Sequence, residues 1–221
     1  MSKIVCVTGA TSGIGRATAE IFAANGYNLI ITGRRKEKLE ELGEELVSKY
    51  KIDLIALNFD VRSNEAVNKA FDSLPEGWRA IDILVNNAAD GDMEGIDTIE
   101  TVTQAVIDDT FAVNVRGTIL MIKEMINNRG DYGRIINLST DASQTFAGQI
   151  TYGASKATLE ALTRSIALEA AQYGFSVNCV APGPTQTGWI DDELEKAVIP
   201  LIPMGRLIEP EDIAETILFL S

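Results

Sequence analysis

Lys3-Ile4-Val5-Cys6-Val7-Thr8-Gly9-Ala10-Thr11-Ser12-Gly13-Ile14-Gly15 passes from an apolar run straight into a glycine-rich turn. Residues 3–8 read as a buried strand. Residues 13–25 read as a helix with Ile14, Ala17, Ile21 and Phe22 on one face, closed by Gly26 at its C′ position. Glycines between a strand and a helix let the backbone turn tightly and approach a pyrophosphate, and the N–H groups and dipole of the helix start favour that anion. The spacing is GxxxGxG rather than GxGxxG. A glycine-rich turn alone is also compatible with nothing more than a tight turn; its place between strand and helix favours a nucleotide site.

Outward from this unit the same alternation repeats. Strands are expected over 27–32, 52–58, 81–86, 134–139 and 175–180, and helices over 36–49, 65–74, 100–128 (as one or two helices) and 151–173. Continuously apolar strands alternating with helices predict a parallel sheet covered on both faces, a doubly wound three-layer α/β/α fold. No linker, low-complexity tract or repeat divides the chain, so residues 1–221 read as a single domain.

Composition narrows the chemistry. There is no His, which excludes Ser-His-Asp triads and His-ligated zinc, so acid–base work falls to Tyr, Lys, Asp or Glu. Cys6 and Cys179 each sit in an apolar run without metal-ligand spacing. The net charge of −13 argues against nucleic acid and anionic membranes as partners. The first apolar run is too short for a signal peptide or a span, and a soluble cytoplasmic protein is expected.

In a doubly wound sheet ligands bind beyond the carboxyl ends of the strands. After the second strand, Gly33 stands where an NAD-selecting carboxylate would sit, and Arg34 and Arg35 follow. Guanidinium groups suit a 2′-phosphate, so NADP(H) is expected over NAD(H), with a solvated first helical turn as the plainer reading of Arg35. Asp60 and Val61 suit an adenine edge. Asn86 and Asn87, ahead of Ala88 and Ala89, suit either a close backbone approach to a ligand or a bridge between strands. Tyr152 and Lys156 lie one helical turn apart, where an ammonium would lower the phenol pKa toward neutrality.

These residues resemble the short-chain dehydrogenase/reductase family over nearly the whole chain. The resemblance rests on TGxxxGIG at residues 8–15, NNAA at 86–89 in place of NNAG, NVRG at 114–117, Ser139 thirteen residues before Tyr152, YxxxK at 152–156, and Pro182-Gly183 with Thr185 and Thr187 after the sixth strand. It implies a Rossmann fold and an NADP-dependent carbonyl reductase that needs no metal. Tyr152 would be the general acid/base, and Lys156 would hold the nicotinamide ribose and depress the Tyr152 pKa. Ser139 would bond the substrate carbonyl, and Asn114 would orient a water linking Lys156 to solvent. Gly9, Thr11, Ser12, Gly13, Ile14, Gly15, Arg34, Arg35, Asp60, Val61, Asn87, Ala88 and Ala89 would line the cofactor. So would Pro182, Gly183, Thr185 and Thr187. A cytoplasmic homo-oligomer, a dimer or tetramer, is implied too.

Substrate choice divides the chain. Residues 182–189 look like 3-oxoacyl-acyl-carrier-protein reductases, and the first half looks like NADP-dependent 3-hydroxy acid or serine dehydrogenases; ordinary divergence and a recombined or designed mosaic both fit. The pocket should be lined by residues 90–93, 140–151 and 186–204, with Trp189 as part of a lid or as a core anchor. Carrier docking needs a basic patch. Arg129 is near the expected place but Tyr173 takes the second basic position, so an acyl carrier protein is a doubtful partner and a free small carbonyl is at least as well supported. Family members continue past residue 221 with a seventh, edge strand, expected to be missing here. A non-catalytic NADP-binding sensor or scaffold and an isomerase or dehydratase are the readings from other classes.

Overall fold

The computed structural model describes residues 2–90, 97–145 and 147–221. In chain order the elements are β1 (Ile4–Thr8), α1 (Gly13–Ala24), β2 (Asn28–Gly33), α2 (Lys36–Tyr50), β3 (Leu54–Asn58), α3 (Asn64–Asp72), α4 (Glu76–Arg79) and β4 (Ile83–Asn86). They continue with α5 (Gln104–Phe111), α6 (Thr118–Asn127), β5 (Gly133–Leu138), α7 (Ile150–Ala170), β6 (Phe175–Val180), α8 (Asp192–Val198) and α9 (Pro210–Phe219). All strand pairs are parallel, in the order β3-β2-β1-β4-β5-β6. This is the Rossmann-like α/β/α fold read from the sequence, with β1 and β4 side by side where the strand order reverses.

Strand alternation builds the two cores. Val5 and Val7 of β1 face one layer with Leu29, Ile31, Val85 and Ile136, against Phe22 of α1, Leu42 of α2 and Ile217 of α9. Ile4 and Cys6 face the other layer with Ile30, Leu84 and Ile135, against Phe71 of α3 and Met121 and Met125 of α6. Both faces of β1 are therefore buried, which is why it reads as an unbroken apolar run.

Three boundaries differ instructively. The strand expected from 81 begins at Ile83, because Asp82 is used as a lead-in: its carboxylate accepts the Ile4 N–H at 2.7 Å and its own N–H donates to Ile4 O at 3.0 Å. The helix expected over 100–128 is broken by a π-helical segment, Ala112–Gly117, between α5 and α6. Such segments are frequent at functional sites, and this one contains Asn114. Helix α7 ends at Ala170, a 3₁₀ turn carries the chain to Tyr173, and Gly174 in the left-handed region (φ 74°) delivers it into β6.

Gly133 opens β5 directly beside Phe175 of β6, and a Cβ there would fall 2.3 Å from the Phe175 ring. Gly133→Ala should cost about 1–3 kcal/mol through overpacking, lowering the thermal midpoint by roughly 2–4 °C per kcal/mol for a chain of this size. Circular dichroism melting checks this; an unchanged midpoint would show that the ring has room to move.

Candidate active site

The carboxyl ends of β1 and β4 are locked together by side chains before any ligand is considered. Thr8 Oγ1 accepts the N–H groups of Asn87 and Ala88, both at 3.0 Å. Asn87 Nδ2 donates back to Thr8 O at 2.9 Å and Gly9 O at 3.1 Å. Of the two roles read for the Asn pair, bridging is the one its side chains fill here, since Asn86 Nδ2 also donates to Asn137 Oδ1 at 2.9 Å. Gly9 (φ 66°) brings the turn so close to β4 that a Cβ would lie 2.9 Å from Ala88 Cα.

A cavity of about 550 Å³ runs along these strand ends from Arg34 and Arg35 to Tyr152 and Lys156. Of the residues singled out in the sequence, Gly9, Thr11, Ser12, Gly13, Ile14, Asp60, Val61, Asn87, Ala88, Ala89, Ser139, Pro182 and Thr187 line it. Gly15, Gly183 and Thr185 do not. A Cβ at Gly15 would sit 2.4 Å from both Asn87 Nδ2 and Gly9 O, so this glycine serves the packing of α1 under the turn. Gly183 faces Ile208 and Asp141, and Thr185 Oγ1 turns back to donate to Gly183 O at 2.9 Å. Phe59 and Leu138, at strand ends, and Val113, in the π-helical segment, line the cavity without having been singled out, since apolar residues in such places look like core. Of the expected pocket segments, residues 91–93 and Phe146 lie outside the described residues.

The nucleotide end fits an anionic dinucleotide. The α1 N-terminus has no side-chain cap and no acidic residue in its first turn, which leaves its positive end facing an anion. Arg35 is more than a solvated helix residue: its guanidinium spans the turn, donating from Nε and Nη2 to Thr11 Oγ1 at 3.1 and 2.5 Å and from Nη2 to Ser12 Oγ at 2.9 Å. Arg34 is exposed on the cavity wall. Asp60, on the cavity wall, is also held by Arg62, which takes its carboxylate through Nε, Nη2 and the backbone N–H at 2.8–2.9 Å. Burial alone would raise the Asp60 carboxyl; the Arg62 bonds, with the charges of Arg62 and Arg34, outweigh it and hold the group below its usual value.

At the other end α7 presents Tyr152 and Lys156. Its N-terminus is held from outside: Asp97, buried in a preceding loop, accepts the Thr151 N–H on Oδ2 at 2.5 Å. Lys156 is 2% exposed, and its Nζ donates to Leu138 O at 2.6 Å. Burial pushes the Lys156 ammonium down to about 8, only partly opposed by Cys179. The expected lowering of the Tyr152 phenol is not found. Burial, then the Asp141 carboxylate, raise it, while the ammonium sits 5.6 Å from the ring centroid, tied to Leu138.

Ser139 and Asn114 are both bonded within the chain. Ser139 Oγ donates to Glu160 Oε1 at 2.7 Å, with Lys156 O farther at 3.4 Å. Asn114 spends its amide on Asp90 O (2.8 Å) and Ser155 Oγ (2.9 Å) and accepts the Asp90 N–H at 2.8 Å, anchoring the chain after β4. Trp189, 63% exposed, stands at the cavity mouth rather than in a core. Arg129 lies stacked on the Tyr173 ring, 4.2 Å from its centroid.

Comparison with known proteins places this geometry. Residues 9–221 match the family described as Enoyl-(Acyl carrier protein) reductase. The chain is similar to the 3-oxoacyl-[acyl-carrier-protein] reductase FabG of Aquifex aeolicus, 36% identical over 229 residues, covering 99% of this chain and 89% of that protein. Among solved structures it resembles a 3-ketoacyl-(acyl-carrier-protein) reductase from Brucella melitensis complexed with NADH, at TM-score 0.89 and 29% identity, covering 99% of this chain and 91% of the other. A Tyr-to-Phe variant of ElxO with NADPH bound gives TM-score 0.91 at 29% identity, covering 100% of this chain and 92% of the other.

The buried lysine has a consequence for stability. Its folded pKa of about 8 lies below the ordinary lysine value of 10.5, so the unfolded chain binds more protons between those values and stability rises with pH across the window. Relative to Lys156→Met, the unaltered protein should gain about 2 kcal/mol between pH 8 and pH 10. Urea unfolding of both proteins at the two pH values checks it; a constant difference would place the ammonium in contact with water.

Proposed function

This chain belongs to the short-chain dehydrogenase/reductase family, and on that premise we propose that it is an NADP(H)-dependent oxidoreductase that reversibly reduces a ketone to a secondary alcohol with Tyr152 as the acid–base group. The observation that carries this reading is the single cavity joining two guanidinium groups, an uncapped helix start and the Tyr152–Lys156 pair. The nicotinamide cofactor supplies the hydride when bound. Arg34 and Arg35 would hold its 2′-phosphate, and the α1 N-terminus would hold its pyrophosphate.

The residues at the other end govern the proton. A phenol raised by burial stays protonated near neutral pH, which suits Tyr152 to give its proton to the substrate oxygen. Lys156 would orient the ribose, and its fixed ammonium would favour the phenolate left behind. Pro182, Thr187 and Trp189 line the same cavity and would close its wall around the carbonyl.

The substrate is a free, neutral carbonyl compound such as a β-keto ester. The net charge of −13 opposes an acidic carrier protein, and Tyr173, on which the exposed Arg129 stacks, adds no second basic group beside it. Asp141, close enough to raise the Tyr152 pKa, disfavours a substrate carboxylate there. Consumption of NADPH and of NADH against β-keto esters, 3-oxo acids and carrier-linked substrates tests this. NADPH and the free esters should be preferred, and activity confined to carrier-linked substrates would reject the reading. Replacing Arg34 and Arg35 together by Ala should lower kcat/KM for NADPH by roughly tenfold to a hundredfold, the worth of ~1.5–3 kcal/mol of charge-assisted bonding. The value for NADH should be nearly unchanged; an equal loss with both cofactors would contradict phosphate selection.

A further inference from the structure

Resting on the reductase reading, we infer that Arg62 is a positioning residue: it aims the Asp60 carboxylate at the exocyclic amino group of the cofactor's adenine and so makes the site selective for an amino-bearing base. Asp60 follows the end of β3 and lines the cavity. Three donors from one residue fix its carboxylate. The Arg62 backbone N–H reaches Oδ1 at 2.9 Å, and Arg62 Nε and Nη2 both reach Oδ2, at 2.9 and 2.8 Å. The Asp60 side chain cannot turn without breaking at least one of these bonds. An ionised carboxylate accepts about four hydrogen bonds, so one acceptor direction is left for a ligand. Burial pushes this carboxyl up, but the Arg62 bonds overcome that, so Asp60 is ionised at neutral pH and only accepts.

The arginine is itself braced from behind. Its Nη1 donates to Asp109 Oδ1 of α5 at 2.7 Å, and Arg116 Nη2, in the π-helical segment, donates to Arg62 O at 3.2 Å. Val61, between the two partners, packs against Gly117, where a Cβ would fall 2.8 Å from Val61 Cγ2. The Asp109 side chain is 57% exposed, so this outer ion pair adds little energy of its own. What it fixes is direction: with Nη1 held on Asp109, the Nε–Nη2 edge of the planar guanidinium is turned to Asp60. A lysine ammonium is a point charge on a flexible stem and cannot hold both sides at once. An amino group in the free acceptor direction donates to the carboxylate, whereas a carbonyl oxygen there would face it lone pair to lone pair. Adenine and hypoxanthine differ at this position, so the Asp60–Arg62 pair tells one base from the other.

Cofactor binding, read without turnover, tests this. NADPH and its hypoxanthine analogue, each titrated by nicotinamide fluorescence, should differ in Kd by about tenfold or more in the unaltered protein. Arg62→Lys and Arg62→Ala should each weaken NADPH by about tenfold and bring the ratio of the two Kd values below about three. Circular dichroism shows that each variant is folded, and Arg62→Lys alone carries the test where Arg62→Ala is not. A merely structural role for Arg62 would weaken both dinucleotides alike and keep the ratio, which would overturn the inference. So would a full ratio in Arg62→Lys, since charge alone would then suffice, or equal binding of the two dinucleotides by the unaltered protein. Failure of the unaltered protein to bind either dinucleotide would reject the reductase reading, and this inference with it.

Discussion

An ammonium buried beneath the end of β5 is the constraint on which the rest of this site depends. Lys156 gives up nearly all of its hydration for one 2.6 Å bond to Leu138 O, and its pKa falls to about 8. Buried charge of this kind costs stability unless partners compensate it. The surroundings of Lys156 accordingly work to fix geometry. Asp97 pins the first turn of α7, Ser155 is bonded to both Asn114 and Tyr152 O, and the Asn86–Asn137–Thr163 chain ties α7 to the sheet beneath it. Tyr152 is held over the cavity by a helix that cannot rotate without breaking these bonds.

The second requirement is closeness of backbones at the strand ends. Thr8, Gly9, Asn87 and Ala88 bring the β1 turn against β4 with no room for a methyl group at Gly9 or Gly15. This closure makes the floor of the cavity out of main chain, with the α1 dipole along one wall and the Lys156 charge at the far end. Positive potential at both ends of a cleft matches an anionic dinucleotide on a chain whose overall charge is −13. The acidic surface and the local cationic path are separate features, and only the second concerns the cofactor.

Much of this was legible in the sequence. Periodicity located the six strands of the described residues, because buried parallel strands are continuously apolar, and the glycine-rich turn marked one end of the cavity. Illegible were contacts between residues far apart in the chain. Asp97 caps a helix 54 residues later, and Asn87 bonds a turn 79 residues earlier. Nothing local marks either. The packing of Gly15 against Asn87 and Gly9, and of Gly183 against Ile208 and Asp141, was equally illegible, because a motif records which residues occur together, whereas only packing shows which way each faces. Tyr152 was expected to have a lowered pKa from its spacing to Lys156 alone. Spacing carries no information about burial or about Asp141, which set the direction instead.

Tyr152 as the proton donor of a carbonyl reductase is the claim on which the functional account stands. The most direct measurement is a single-turnover comparison of the unaltered protein with Tyr152→Phe, following NADPH oxidation by a β-keto ester and NADPH affinity in the same preparations. The account predicts equal affinity and a rate lower by roughly 10²–10⁴-fold in the variant, the usual worth of a positioned acid. A variant that binds NADPH and oxidises it at the unaltered rate would contradict it.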